Sequence, residues 1–354
     1  MAPFDNAERD APAGFTFATE RLRLKHTWTI ARCSDDFKDN VFVRIERDGI
    51  IGWGEAAPSA RYGESPAKTS GVLEQARAGF EAGDWRAYAE MRRRWEPLTE
   101  AQTCAGAALD MALLDWAGRK LGVPLYRLWG LDKDKTPITT YSIGIDSPEV
   151  VRRKVQEAAQ YPVLKIKVGL DNDTEIIAAV REVTDCPLRV DANEGWRDKE
   201  TALEKIRWLQ DLGVELIEQP MPAEMLAETA WLRQRVDIPI IADEAVKRAA
   251  DIPKLADAYD GINIKLMKAG GLQEALGMIH LARALGMKIM LGCMVASSVA
   301  ITAAAHLSPL VDYADLDGNL LIANDPFTGV TVKKGRLILT DQPGLGVAQR
   351  SDDA

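Results

Sequence analysis

The chain has 354 residues, of which 47% are hydrophobic and 27% charged, and its formal net charge is −9. That length and apolar content support a large barrel with an accessory domain, or two domains, and exclude a disordered chain. The acidic balance excludes nucleic acid as a partner, because phosphate binding needs a basic face, and any acidic substrate must be met by a local cationic site.

The start, Met-Ala-Pro-Phe-Asp, brings acidic residues early, unlike the basic-then-apolar order of a secretory signal. Phe15 to Leu24 and Asn40 to Glu46 alternate as strands, Asp48-Gly49 reads as a turn, and Ile50 to Trp53 as the returning strand. From Ser65 the period lengthens: Gly71 to Glu81 and Cys104 to Leu121 have helical spacing, the second stopped by Gly122-Val123-Pro124. Residues 1–134 thus read as an antiparallel region followed by helices.

After Lys135-Thr136-Pro137 short β-rich runs alternate with amphipathic helical stretches: Ile138 to Gly144, Val163 to Val168, Leu188 to Val190, Val214 to Ile217, Ile238 to Ala242, Gly261 to Ile264, Lys288 to Leu291 and Tyr313 to Ala314. Strands that alternate with helices pair in parallel, since each parallel neighbour needs a crossover, and eight of them over residues 135–323 predict an α/β barrel. A doubly wound open sheet is the alternative, but no G-x-G-x-x-G follows the first strand. In residues 324–354, Gly329 to Leu339 reads as a final hairpin turning at Lys334-Gly335, expected to pack back on the N-terminal domain.

No apolar run approaches the roughly 20 residues of a membrane helix, so no membrane partner is expected. Cys33, Cys104, Cys186 and Cys293 are scattered without C-x-x-C spacing, which points to reduced thiols in a cytoplasm rather than a zinc knuckle or disulfide framework.

The ends of the runs carry the chemistry. Asp191, Glu218 and Asp243 each follow apolar residues and precede polar or turn residues, placing three acceptor-only oxygen ligands at successive strand tips. Such a triad suits one Mg2+ per subunit, with coordination positions left for a substrate carboxylate. In Leu164-Lys165-Ile166-Lys167-Val168 both lysines point to one side, which in a barrel is the interior. Close pairing and a nearby cation are expected to lower their pKa values toward neutrality. Lys265 comes from the far side of the ring, so a carbon acid held between Lys167 and Lys265 would lose a proton on one face and regain it on the other. That inverts a stereocentre.

The Lys-x-Lys strand, the Asp-Glu-Asp ladder and the Lys265 segment through Gly270-Gly271 resemble the enolase superfamily, in its muconate lactonizing subgroup, over essentially the whole chain. The resemblance implies a (β/α)7β TIM-like barrel beneath an α+β capping domain, with Lys167 and Lys265 as the acid/base pair, Lys165 as a supporting cation and Mg2+ stabilising an enediolate. Members that use a His-Asp base need histidine after the seventh strand, where this chain has Gly292-Cys293-Met294.

Asp315 and Asp317 point the same way at the end of the last strand and suit a cationic group such as a free α-ammonium. This Asp-x-Asp resembles dipeptide epimerases, including L-Ala-D/L-Glu epimerases. It implies a small dipeptide substrate, inverted at its second α-carbon, and a homo-oligomeric isomerase. Arg32, beside Trp28 and Ile30, is a candidate partner for a glutamate side chain, with Arg61, Tyr62 and Gly63 as further loop contacts. Met294 and Ala296 stand where relatives carry an acidic residue, which leaves hydrophobic dipeptides open, and Ser142 lies where similar proteins touch substrate. Muconate cycloisomerase, o-succinylbenzoate synthase and N-acyl amino acid racemase use the same lysines and metal, but their substrates carry no ammonium for the Asp pair; a non-catalytic scaffold would not need the lysines.

Overall fold

A computed structural model describes residues 14–350. The described residues begin with a long hairpin of β1 (Gly14–Ile30) and β2 (Cys33–Arg47), followed by β3 (Ile50–Ala56), in one antiparallel sheet of order β1-β2-β3. Asp48 and Gly49 turn the chain with φ of 59° and 71°, the left-handed geometry of a tight hairpin loop. Three helices cover the sheet: α1 (Pro66–Glu81), α2 (Tyr88–Thr99) and α3 (Thr103–Leu121). Composition hides α2, because its first turns are rich in arginine and Pro97 interrupts its last. Only Met91, Trp95 and Thr99, four residues apart, are buried, a stripe one residue wide.

α3 is the keel of the molecule, with residues 104 to 118 all buried. Its alanines lie against Gly52 and Gly54 of β3. A Cβ at Gly54 would stand 1.9 Å from Ala108 O and one at Gly52 2.2 Å from Ala112 O, so only glycine permits this approach. Two buried carboxylates on α3 reach outward. Asp110 accepts from Leu272 N at 2.6 Å, at the start of the barrel helix Leu272–Ala284. Asp115 accepts from Trp53 N at 2.9 Å and Leu345 N at 2.7 Å. Capping sheet, barrel and C-terminal segment therefore meet on one helix.

The second sheet has eight parallel strands in chain order: β4 (Tyr141–Ile143), β5 (Leu164–Lys167), β6 (Leu188–Asp191), β7 (Val214–Glu218), β8 (Ile240–Ala242), β9 (Gly261–Lys265), β10 (Lys288–Gly292) and β11 (Tyr313–Asp315). Thr140 N donates to Ala314 O at 3.2 Å beside the parallel Thr139–Ala314 bridge, which closes the ring between last and first strands. With a helical connection between each successive pair and no α-helix after β11 among the described residues, the barrel is (β/α)7β, as the resemblance implies. Inside the ring Leu216, Ile241 and Met290 form a fully buried apolar cluster with Tyr313 packed on it. That plug fills the interior below the strand tips, so chemistry is confined to the C-terminal end.

The last segment divides. Phe327 stacks on Phe42 at 5.5 Å and meets Trp53 edge-on at 4.9 Å, and Gly344 exchanges backbone bonds with Val123 and Leu125, so these parts do pack on the N-terminal region. The hairpin turning at Lys334-Gly335 does not. Thr139 N donates to Gly335 O at 2.8 Å and Ile138 bridges to Arg336, which places the hairpin beneath the first barrel strand.

Candidate active site

Ring order fixes the geometry. Counting β4 as the first position, Lys165 and Lys167 stand on the second strand and Lys265 on the sixth, four places away and thus across the ring. Asp191, Glu218 and Asp243 fill the three positions between them. Asp315 is on the eighth, across from Glu218, with Ser142 beside it on the first. Register aligns the row, pairing Lys167 with Asp191 and Asp191 with Glu218 on one side, and Lys265 with Gly292 and Gly292 with Asp315 on the other.

Every charge in this row is buried and paired. Lys167 Nζ lies 2.5 Å from Asp191 Oδ2, and Lys265 Nζ 2.7 Å from Asp243 Oδ2. Lys165 Nζ sits between three carboxylates, 2.7 Å from Glu218, 2.7 Å from Asp315 and 3.2 Å from Asp191. Its contact with Glu218 Oε2 lacks hydrogen-bonding directionality, so that oxygen has no hydrogen-bond partner, while Asn263 Nδ2 donates to Oε1 at 2.8 Å. Carboxylate oxygens of Asp191, Glu218 and Asp243 lie within 4.8 Å of one another. Three converging hard donors, one of them an unsatisfied buried oxygen, fit a small divalent cation.

The lysine charges differ from the expectation. Burial works against charge on Lys265, but Asp243 and Glu218 outweigh it and hold the ammonium above the ordinary lysine range. Lys165 is likewise held well above that range, by Asp315, Glu218 and Asp191 against the cost of burial. At Lys165 the depression expected from its neighbouring lysine is outweighed, because ring closure puts Glu218 and Asp315 each at 2.7 Å from the ammonium. Glu218, which burial and Asp191 both penalise, is pushed up to about 8.

Across the ring, Asp315 is already engaged, by Lys165 and by the Thr140 hydroxyl. Asp317 keeps more freedom. Ser142 N donates to its Oδ2 at 2.6 Å, while among the described residues Oδ1 has only the Cys293 thiol at 4.0 Å. Burial and the neighbouring Asp315 push Asp317 up to about 7.

A cavity of about 670 Å3 opens above these groups, and Ser142, Lys165, Lys167, Asp243, Lys265 and both Asp315 and Asp317 line it. The capping region covers it with Trp28, Ile30 and Arg32 from the β1–β2 hairpin and Arg61 and Tyr62 from the loop after β3. Met294 and Val295 also line it. Ala296 does not: it is 1% exposed, packed behind Gly318, whose own Cβ would fall 3.1 Å from Ala296 N. Arg32 donates through NH1 to Asn193 O at 2.6 Å and Glu194 at 3.1 Å, and through NH2 to Glu244 at 2.6 Å. Of its five N–H groups, Nε–H and one on NH2 remain.

Sequence reasoning passed over several members of the site. Lys268, fully buried, donates to Asp243 Oδ1 at 2.6 Å and to its backbone oxygen at 2.5 Å, giving that carboxylate a second cation. It stands one helical turn after Lys265, on the short helix Leu266–Ala269, and that spacing was its only signal. Thr140, two residues before Ser142, shares its side of the strand direction.

Fold and site together define the class: a capped (β/α)7β-barrel enzyme with its charged residues gathered at the C-terminal strand ends. The chain belongs to the mandelate racemase/muconate lactonizing enzyme family of the enolase superfamily. Residues 15–130 match the mandelate racemase / muconate lactonizing enzyme N-terminal domain, and residues 149–354 the enolase C-terminal domain-like family. An L-Ala-D/L-Glu epimerase of Bacteroides thetaiotaomicron is 47% identical over 94% of this chain and 87% of its own length. An L-Ala-D/L-amino acid epimerase of Pedosphaera parvula is 45% identical over 95% and 99%. Among solved structures, a dipeptide epimerase from Cytophaga hutchinsonii complexed with Mg and D-Ala-L-Val superposes with a TM-score of 0.90, at 30% identity over 97% of each chain.

Proposed function

We propose that this chain is a Mg2+-dependent dipeptide epimerase that inverts the α-carbon of the second residue by removing its proton on one face and supplying another proton on the opposite face. The observation that carries the reading is the placement of Lys167 and Lys265 across the ring from each other, with the acidic triad along one arc between them and Asp315 and Asp317 facing it.

Asp191, Glu218 and Asp243 would hold the metal. A Mg2+ held there would supply Lewis-acid chemistry for the substrate's carboxylate and would balance negative charge that otherwise pairs with the lysines. The chain's own residues do the rest. Asp317, with an oxygen to spare, receives the substrate ammonium, and Asp315 and Ser142 hold it in place. With the two ends of the dipeptide fixed on opposite arcs, its second α-carbon lies between the lysines. One takes the α-proton, Lys165 stabilises the enediolate that forms, and the other lysine protonates the opposite face. Lactonizing and synthase chemistry of the same family does not need an ammonium subsite, which favours the epimerase.

The unused N–H groups of Arg32 support a glutamate side chain on the second residue, as in the Bacteroides relative. A hydrophobic side chain is the second reading, favoured by Trp28, Ile30 and Met294 on the cavity wall. Residues 1–134, 135–323 and 324–354 are taken as cap, barrel and returning segment, in a cytoplasmic homo-oligomer. The test is a dipeptide library in deuterated water with Mg2+, read by mass spectrometry. One deuteron at the second α-carbon of L-Ala-L-Glu or an L-Ala-hydrophobic dipeptide is expected; no exchange with any dipeptide sinks the proposal.

A further inference from the structure

The loop after β6 runs Asp191-Ala-Asn-Glu-Gly, and it carries two consecutive non-glycine residues in the left-handed region: Asn193 at φ 44° and Glu194 at φ 67°. Side chains disfavour that conformation, so where it occurs in pairs the surroundings must hold it. Here they do. Glu194 N donates to Gln219 O at 2.9 Å, Gly195 N to Ala192 O at 2.8 Å, and Gly195 packs so tightly on Gly169 that a Cβ would stand 2.4 Å from the Gly169 Cα. The loop is a rigid seat, and it aims Glu194 at the capping region.

What Glu194 reaches is specific. Arg61 grips it with two parallel bonds of 2.9 Å, Nε to Oε2 and NH2 to Oε1. Arg32 NH1 adds a contact of 3.1 Å, and Ala223 N anchors the carboxylate to the next barrel loop at 3.0 Å. Arg61 and Arg32 belong to the two separate capping loops that roof the cavity. The Glu194 side chain is only 10% exposed, in the enclosed setting where a paired carboxylate counts for more than on an open surface. A second cavity of about 430 Å3 lies beside the first, and Arg32, Arg61 and Asn193 line both. The arginine–Glu194 cluster is the wall between them.

We propose that Glu194 is a positioning residue that latches both capping loops shut over the substrate cavity. Resting on the epimerase reading, this assigns the site a built-in closing contact outside its reacting groups. With the latch made, Arg32 and Arg61 are both held by Glu194 and the second cavity stays separate. With it broken, the loops open and the two cavities join.

The experiment compares Glu194→Gln, Arg61→Ala and the double variant in the full-length enzyme. Amide hydrogen exchange in residues 28–34 and 57–63 is expected to quicken about fivefold or more in each, with the barrel strands unchanged. On the dipeptide that the wild type epimerises fastest, KM should rise about tenfold while kcat stays within about twofold, and the double variant should be no worse than the weaker single one. Unchanged loop exchange in Glu194→Gln, or KM effects that multiply in the double variant, would overturn the latch. Should Glu194→Gln fail to fold, Arg61→Ala breaks the same pair from the cap and decides. Should the wild type epimerise no dipeptide, the functional reading falls, and loop exchange alone still decides the latch.

Discussion

Replacing Lys265 by alanine, and separately Lys167, tests the two-base arrangement most directly. Lys265 Nζ compensates Asp243 at 2.7 Å, but Lys268 holds the other oxygen of the same carboxylate at 2.6 Å. Losing Lys265 therefore leaves Asp243 paired, and the cost to folding should be about 1–2 kcal/mol, below the 3–5 kcal/mol typical of an orphaned buried charge. Catalysis should suffer far more. Removing a positioned acid or base costs about 10²–10⁴ in rate, and each variant should lose epimerisation in both directions, since every turnover needs both lysines. Exchange separates the roles. In deuterated water each variant should still exchange the α-proton of one diastereomer, the one facing the lysine that remains, and the two variants should retain opposite diastereomers. If both kept the same diastereomer, or either epimerised at the wild-type rate, two bases across the ring would be the wrong mechanism.

Two further outcomes follow from individual groups. Asp317, raised to about 7, accepts an ammonium only when ionised, so KM for the dipeptide should climb about tenfold per unit as pH falls below 7; Asp317→Asn should raise KM above pH 7, converge with the wild type at lower pH and leave Mg2+ affinity nearly unchanged. Loss of metal binding in that variant would reassign the carboxylate. His306, fully buried, accepts from Tyr126 N through Nδ1 at 3.2 Å and donates through Nε2 to Leu345 O at 3.1 Å; burial pushes its pKa down to about 4 against the opposing pull of the Leu345 carbonyl. The unfolded ring protonates first on acidification, so this contribution is intact above pH 6.5 and is lost toward pH 4. Urea unfolding should show the stability advantage over His306→Gln shrinking by about 2 kcal/mol between pH 7 and 4.5, with the opposing effect of Asp110 common to both; a constant difference would refute the assignment.

What the sequence made legible was periodic. Alternation placed Lys165 and Lys167 on one side, each acidic residue closed an apolar run, and the eight runs fell within a few residues of the observed strands. Three things escaped for physical reasons. Neighbours in sequence suggested repulsion between Lys165 and Lys167, whereas closure of the ring sets Asp191 against both, at 3.2 and 2.5 Å. Ala296 stands with Met294 where relatives carry an acidic residue, but Ser297, capping the helix Ser298–Ala305, turns the chain inward just there and buries it. The Glu194 contacts with Arg32 and Arg61 span 162 and 133 residues, and no local pattern encodes a pairing between a cap loop and a barrel loop.

Lys165 is where the two arcs of the site become one. Its single ammonium is 2.7 Å from Glu218 in the triad and 2.7 Å from Asp315 in the facing pair, so neither arc is electrostatically complete alone. Lys165→Ala would leave Asp191 with Lys167 but strip Glu218 and Asp315 of their nearest cation, at a cost of about 3–5 kcal/mol for buried charge left unpaired. A divalent cation at the triad restores positive charge on one arc only. The variant's melting temperature should therefore rise more steeply with Mg2+ than that of the wild type, while dipeptide binding, which needs Asp315 held in place, should stay weak even at saturating metal. A variant whose melting is indifferent to Mg2+ would show that Lys165 is not part of the triad's charge balance. One that recovered full dipeptide affinity with metal would show that the facing pair does not depend on it.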